Sequence, residues 1–156
     1  MIEIKEIHSA EEKSRICNEI LRALPEWFGI EAAIVSYTEQ VQSLPFYAVF
    51  DGDKAVGFVA IKVHTAAAAE LCVMGVLEAY HRQGLGKKLM ACCESYCKEN
   101  NISFLTVKTL DASCESESYA RTRAFYSSVG FLPLEAFPLH WDAENPCLFM
   151  AKYIAV

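Results

Sequence analysis

Between Val76 and Leu89 an apolar run breaks into the basic, glycine-containing turn His-Arg-Gln-Gly-Leu-Gly-Lys-Lys and then starts a helix. A strand that hands over to a helix across so tight a turn leaves few architectures open, and this turn is built to hold a phosphate. Gly84 and Gly86 lack a Cβ, so the backbone can adopt conformations closed to other residues and several N–H groups can converge on one anion. The dipole of the following helix favours negative charge at the same point. Arg82, Lys87 and Lys88 add three cations within one helical turn, although the chain carries a formal net charge of −6.

Other phosphate-binding turns fit less well. A dinucleotide fold needs G-x-G-x-x-G, and its third position here is Leu89; a P-loop needs G-x-x-x-x-G-K-[ST], which nothing matches. The bland alternative, two glycines closing an ordinary strand-to-helix turn, competes only if the segment stands alone. It does not, because His81-Arg-Gln-Gly-Leu-Gly86 resembles motif A of the GNAT superfamily of acyl-CoA N-acyltransferases, R/Q-x-x-G-x-G/A, with His81 where Arg or Gln is usual. Further on, Thr122-Arg-Ala-Phe-Tyr-Ser-Ser-Val-Gly-Phe131 resembles motif B, an aromatic-Tyr pair followed by Gly-Phe. The order of elements extends the likeness across essentially all 156 residues.

That order follows from local patterns. Residues 2 to 7 alternate apolar and polar as a half-exposed strand. Ser9 and Glu12 form a capping box ahead of Ile16, Ile20, Leu21 and Leu24, an amphipathic helix that Pro25 terminates. Residues 29 to 43 can form a second helix. Strands over 46–50 and 55–63 flank a turn at 51–54. A strand over 71–76 precedes a helix over 84–99 with Leu85, Leu89, Cys92, Cys93 and Tyr96 inward. A strand over 102–110, a helix over 118–129 closed by Gly130, and strands from 131 and over 147–154 complete the chain. With the resemblance, the expectation is an α/β fold: a single domain over 1–156, a three-layer sandwich around a mixed, mostly antiparallel sheet.

Composition limits the alternatives. A content of 53% hydrophobic and 12% aromatic residues excludes disorder. No apolar run reaches the roughly 18 residues of a membrane helix, and the polar start is no signal peptide. Seven cysteines without paired spacing read as reduced, so a cytoplasmic location is expected. Cys93 and Cys97 lie one helical turn apart without a nearby third ligand, and no metal is expected. The acidic balance argues against nucleic acid and anionic membranes and suits cationic substrates.

The resemblance implies acetyl-CoA as cosubstrate. It places the Met74 N–H toward the acetyl carbonyl, lets Val76 pair with the pantetheine amides beside Gly75, and gives the pyrophosphate to the run His81, Arg82, Gln83, Gly84, Leu85, Gly86 and Lys87. Tyr119 stands where many relatives have an asparagine that touches the cofactor. Tyr126 matches the tyrosine that protonates the departing thiolate, a task suited to a phenol with a pKa of about 10; its bland counterpart is one more core aromatic beside Phe125 and Phe131. Glu70, six residues before Val76, stands where some GNAT enzymes carry a general base, and its neighbours Leu71, Val73 and Val76 favour the neutral carboxyl through desolvation. An exposed strand-end carboxylate, with water carrying the proton, is the alternative.

For the acceptor, the family implies a pocket lined by the segment between the first two helices and by the last hairpin. Trp27, Phe28 and Trp141 can wall it, or simply cover the core. Glu26, Glu31, Asp142 and Glu144 can neutralise a second cationic group on the substrate. His64 and His140 lie beside no nucleophile and are given no role. The reading is an acetyl-CoA-dependent N-acetyltransferase for a primary amine of a small molecule or peptide, compatible with a homodimer; its rival is a non-catalytic acyl-CoA-binding regulatory module.

Overall fold

A computed structural model describes residues 1–154. In chain order the elements are β1 (Ile2–Glu6), α1 (Ala10–Arg22), α2 (Glu31–Gln40), β2 (Phe46–Asp51), β3 (Lys54–Val63), β4 (Ala68–Val76), α3 (Leu85–Glu99), β5 (Phe104–Leu110), α4 (Glu117–Ser128), β6 (Leu132–Asp142) and β7 (Asn145–Tyr153). The strands hydrogen-bond in the order β1-β2-β3-β4-β5-β7-β6, an open sheet with helices on its sides. β4 and β5 run parallel, as a crossover through a helix allows. The pairs β1–β2, β2–β3, β5–β7 and β6–β7 are antiparallel. The mixed, mostly antiparallel α/β fold is therefore as the sequence implies.

The chain forms two compact units, one of Met1–Lys62 with Cys72–Cys93 and the other of Val63–Leu71 with the residues from 94 on. In the first, Ser9 accepts the Glu12 N–H at 3.2 Å and starts α1 as its sequence predicts. The inward stripe Ile16, Cys17, Ile20 and Leu21 is buried with Leu24, and Phe46 stacks on Phe58 at 5.2 Å between ring centroids. Gly75 lies beneath this helix. A Cβ there would stand 3.1 Å from both Ile20 Cγ2 and Leu24 Cδ1, so the absence of a side chain lets α1 approach the strand that feeds the turn.

In the second unit, Leu105 and Val107 of β5 and Cys147 and Met150 of β7 are buried, with Tyr126 of α4 and Phe131. Lys152 donates to the Val129 carbonyl at 2.6 Å and pairs with Glu94 at 2.7 Å, placing a cation at the C-terminal end of α4 where the helix dipole favours it. Gly130 follows that helix at φ 101°, as expected of a C-cap glycine.

Several boundaries move. α2 spans ten residues and continues as a 3₁₀ turn over Val41–Ser43, and α1 ends at Arg22, ahead of Pro25. β4 begins at Ala68 instead of Leu71, because Ala68, Ala69 and Glu70 pair with Phe104, Leu105 and Thr106; small side chains hide a strand that pairing defines. On α3 the buried residues include Met90 and Cys97, while Cys92 and Tyr96 are half-buried. β6 is exposed along all eleven residues. It is an edge strand, and Pro133 and Pro138, which have no N–H to donate, suit that position. Among the described residues no helix is long and apolar enough to cross a membrane.

Candidate active site

The Val76–Leu89 segment is anchored at both ends before it turns. The Leu77 N–H donates to the Val56 carbonyl at 2.9 Å, a 3₁₀ turn follows over Glu78–Tyr80, and the Tyr80 hydroxyl donates to Asp51 Oδ2 at 2.7 Å. That hydrogen bond, with a smaller contribution from the N-terminal ammonium at 3.3 Å, holds the Asp51 carboxyl below its ordinary value and raises the Tyr80 phenol. Arg82 and Gly84 then take left-handed backbone, φ 63° and 78°. Gly84 is glycine for that conformation and not for space, since a Cβ there would meet nothing within 4 Å. Its carbonyl accepts the Lys88 N–H at 3.1 Å, which makes it the first acceptor of α3. The N–H groups of Leu85, Gly86 and Lys87 fall in the first helical turn and have no intrahelical acceptor by geometry. Gly84 is open, and Arg82, Lys87 and Lys88 beside these N–H groups in the chain are exposed, a set of donors and cations that could hold an anion.

His81 has local partners. Its Nε2 lies 2.6 Å from the Val76 carbonyl, and a carbonyl can only accept, so Nε2 carries the proton. Its ring meets Trp27 edge to face at 5.8 Å. A residue read as a phosphate contact thus ties the strand end to the segment after α1. The Val76 carbonyl keeps one lone pair for another donor. Gly75 is buried, whereas Met74 and Val76 are half-buried.

Trp27 and Phe28 are half-buried against the core formed with α1, and the N–H groups of both donate to the Leu24 carbonyl at 3.1 and 3.0 Å. Phe28 meets Tyr37 edge to face at 6.3 Å. The base of this segment is closed by Arg22, which makes two hydrogen bonds to Glu31 at 2.7 and 2.8 Å and one to Asn18 at 2.7 Å. The pairing raises the guanidinium pKa and lowers that of the carboxylate. Glu31, read as a charge for the substrate, is therefore engaged within the chain.

The second unit holds the remaining residues. Tyr126 is 7% exposed, with ring centroids 5.7 Å from Phe125 and 5.6 Å from Phe131, so the packing attributed to it is present whatever its hydroxyl does. Burial pushes the Tyr119 phenol up to about 12, which keeps it a donor at neutral pH. Asp142 Oδ1 accepts the N–H groups of Glu144 and Asn145, both at 2.9 Å, and the Asn145 amide at 3.0 Å. It closes the β6–β7 hairpin, and its expected service to the substrate competes with that task. Trp141 is 44% exposed.

Glu70 is 8% exposed, which excludes the reading as a solvated strand-end carboxylate. Nor are its neighbours all apolar. His64 Nε2 lies 2.6 Å from Oε1, and Lys108 Nζ lies 3.4 Å from each carboxylate oxygen. Sequence reasoning missed both partners. The available signal for His64 is its place six residues before Glu70 across a turn; for Lys108 there is none without the register of β4 on β5. Among the described residues no group of three His, Cys, Asp or Glu side chains is placed to hold a metal.

The model of the acetyltransferase (GNAT) family matches residues 12–131. A search of curated protein sequences found no match. Solved structures are similar over nearly the whole chain. The ribosomal-protein-S18-alanine N-acetyltransferase from Escherichia coli superposes with a TM-score of 0.77 at 18% identity, covering 100% of this chain and 96% of that one. The aminoglycoside 6'-N-acetyltransferase from Enterococcus faecium gives 0.77 at 18%, covering 99% and 98%. A GNAT family acetyltransferase from Elizabethkingia anophelis with acetyl-CoA bound gives 0.74 at 15%, covering 97% of each. At such identities the likeness concerns the fold.

Proposed function

Because the chain belongs to the GNAT acetyltransferase family, we propose that it is an acetyl-CoA-dependent N-acetyltransferase acting on a primary amine of a small molecule or peptide. The observation that carries this reading is the start of α3, where Gly84 takes φ 78°, the first-turn N–H groups follow it, and Arg82, Lys87 and Lys88 beside them in the chain are exposed. Residues 1–156 act as one domain in this reading, since the family match runs through both compact units. A cytoplasmic location accords with the same chemistry.

Each residue has a task in it. Acetyl-CoA, when bound, supplies an activated thioester carbonyl. Gln83 to Lys87 hold its pyrophosphate through backbone N–H groups and the local cations. The strand end at Met74, Gly75 and Val76 offers backbone groups to the acyl and pantetheine portions. Glu70 takes the proton from the acceptor ammonium, leaving a lone pair on nitrogen for attack. Tyr126 holds a proton at Oη that it can give to a departing thiolate, and Tyr119 lies near the cofactor as its motif position implies. Trp27, Phe28 and Trp141 offer apolar walls and π faces to the acceptor.

The net charge of −6 favours a cationic acceptor. With Glu31 held by Arg22 and Asp142 closing its hairpin, this preference rests on the summed field and on Glu26 and Glu144. The structural relatives named for aminoglycosides and for an alanine of a ribosomal protein both act on amines. The test is thiol release from acetyl-CoA over cationic, neutral and acidic amines. Release with a cationic amine supports the proposal; coenzyme A binding without release from any amine replaces it with the binding module.

A further inference from the structure

Glu70 is held from two directions within the second unit. Its parallel pairing with Thr106 puts Lys108, two residues on and on the same face of β5, within reach. His64 comes from the turn after β3, which is kept tight by its own N–H donating to the Ala68 carbonyl at 3.0 Å and by Thr65 Oγ1 accepting the Ala67 and Ala68 N–H groups, each at 3.1 Å. The two carboxylate oxygens are therefore unequal: among the described residues Oε1 has His64 at 2.6 Å and Lys108 at 3.4 Å, and Oε2 has the longer lysine contact alone. Cys147 on β7 feels the charges of Lys108 and Glu70, and that of Asp111 just past β5. A buried ion pair adds little net stability compared with apolar residues of the same volume. The asymmetry calls for another reason.

We propose that His64 and Lys108 are positioning residues for Glu70, His64 fixing Oε1 and Lys108 bridging both oxygens, so that Oε2 is the oxygen that accepts the proton of the acceptor ammonium. In this step the N–H bond of the ammonium breaks, its electron pair stays on nitrogen, and the proton bonds to Oε2. The Oε1 contacts keep the carboxyl from rotating as its charge disappears. The inference rests on reading Glu70 as the base of acetyl transfer.

The first test needs no acceptor: the Nε2 resonance of His64 followed by NMR in the wild-type chain, in Glu70→Gln and in Lys108→Met. Changing the carboxylate that the ring nitrogen meets at 2.6 Å should move this resonance, and so should release of the carboxylate from Lys108. A resonance unmoved in both folded variants overturns the proposal. The second test is kinetic. His64→Ala and Lys108→Met should each lower kcat at least about tenfold, part of the roughly 10²–10⁴ that a positioned base supplies. Both should displace the pH-rate profile and leave KM for acetyl-CoA unchanged, and Lys108→Arg should recover most of the loss. If Glu70→Gln is inactive while His64→Ala and Lys108→Met keep the wild-type kcat and profile, the positioning role is overturned and the base stands. Full turnover in Glu70→Gln removes the base and the positioning role together.

Discussion

The turn between β4 and α3 and the hairpin between β6 and β7 both carry expected site residues, yet they are built in opposite ways. The turn is set by backbone: two left-handed residues, a glycine that begins a helix, and anchors at Val56, Asp51 and the Val76 carbonyl. The hairpin presents side chains, with Leu134, Leu139 and Trp141 exposed and Asp142 absorbed in closing the loop. A backbone site keeps its chemistry through large sequence change, because N–H groups are common to all residues but proline. A side-chain site takes its chemistry from whichever residues stand there. This contrast accounts for a family that is recognisable at the turn and an acceptor that is not.

The contrast breaks most easily at Gly86. In the proposed reading Gly86→Glu puts a carboxylate against the phosphates, and like charges at an interface cost several kcal/mol. Affinity for coenzyme A should then fall more than about a hundredfold, at 1.4 kcal/mol per tenfold. The fold should survive, since an acidic residue suits the first turn of a helix. Calorimetric titration measures this, and equal affinity in a folded variant would remove the turn from the site. Next in size is Tyr126→Phe, which deletes one hydroxyl inside intact packing. We expect kcat to drop by about 10²-fold with coenzyme A affinity retained. An unchanged kcat would return Tyr126 to the core, where its ring meets Phe125 and Phe131.

What sequence reveals follows the same division. The turn is legible because glycine spacing, the cations and the helix start are contiguous, and the Ser9 cap and the Gly130 stop are equally local. The partners of Glu70 are not legible, because Lys108 reaches it only through the pairing of Glu70 with Thr106, and pairing register is set by the whole sheet. The same cause hid the start of β4, where Ala68 and Ala69 look like filler until Phe104 and Leu105 lie beside them. His81 and Asp142 have partners that sequence does not show. Their residue types suit a ligand, and within the chain they also meet the Val76 carbonyl and the Asn145 amide.

A stability comparison sharpens the contrast at lower magnitude. In Gly75→Ala the new methyl would stand 3.1 Å from Ile20 Cγ2 and Leu24 Cδ1, and both side chains must yield. Overpacking of this kind costs about 1 kcal/mol or somewhat more. Leu139→Gln on β6, at a residue 75% exposed, should change stability by less than about 0.5 kcal/mol. Urea midpoints of the two variants test this. A larger loss at Leu139 than at Gly75 would mean that β6 is covered in solution and that the hairpin is no free surface.

The smallest expected effect concerns the anchor of the turn on β2. The Tyr80 hydroxyl bonds to Asp51 and holds that carboxyl below its ordinary pKa, with the N-terminal ammonium as a lesser cause. A carboxyl whose folded pKa is depressed contributes stability that is complete above its unfolded value of about 3.9, and the contribution is lost as pH falls through the lower folded value. The tyrosine obeys the opposite rule. Its folded pKa is raised, so its contribution is complete below an unfolded value of about 10 and is lost as pH rises through the folded one. The stability difference between wild type and Tyr80→Phe should therefore be flat from about pH 5 to 9 and shrink at both extremes. Both groups are open to solvent, so the plateau will be low and will shift little with salt, because the bond joins a neutral hydroxyl to a charge. Urea midpoints across that range decide it: a difference that stays near zero and does not change in acid would show that Asp51 is held by the N-terminal ammonium and that Tyr80 anchors nothing.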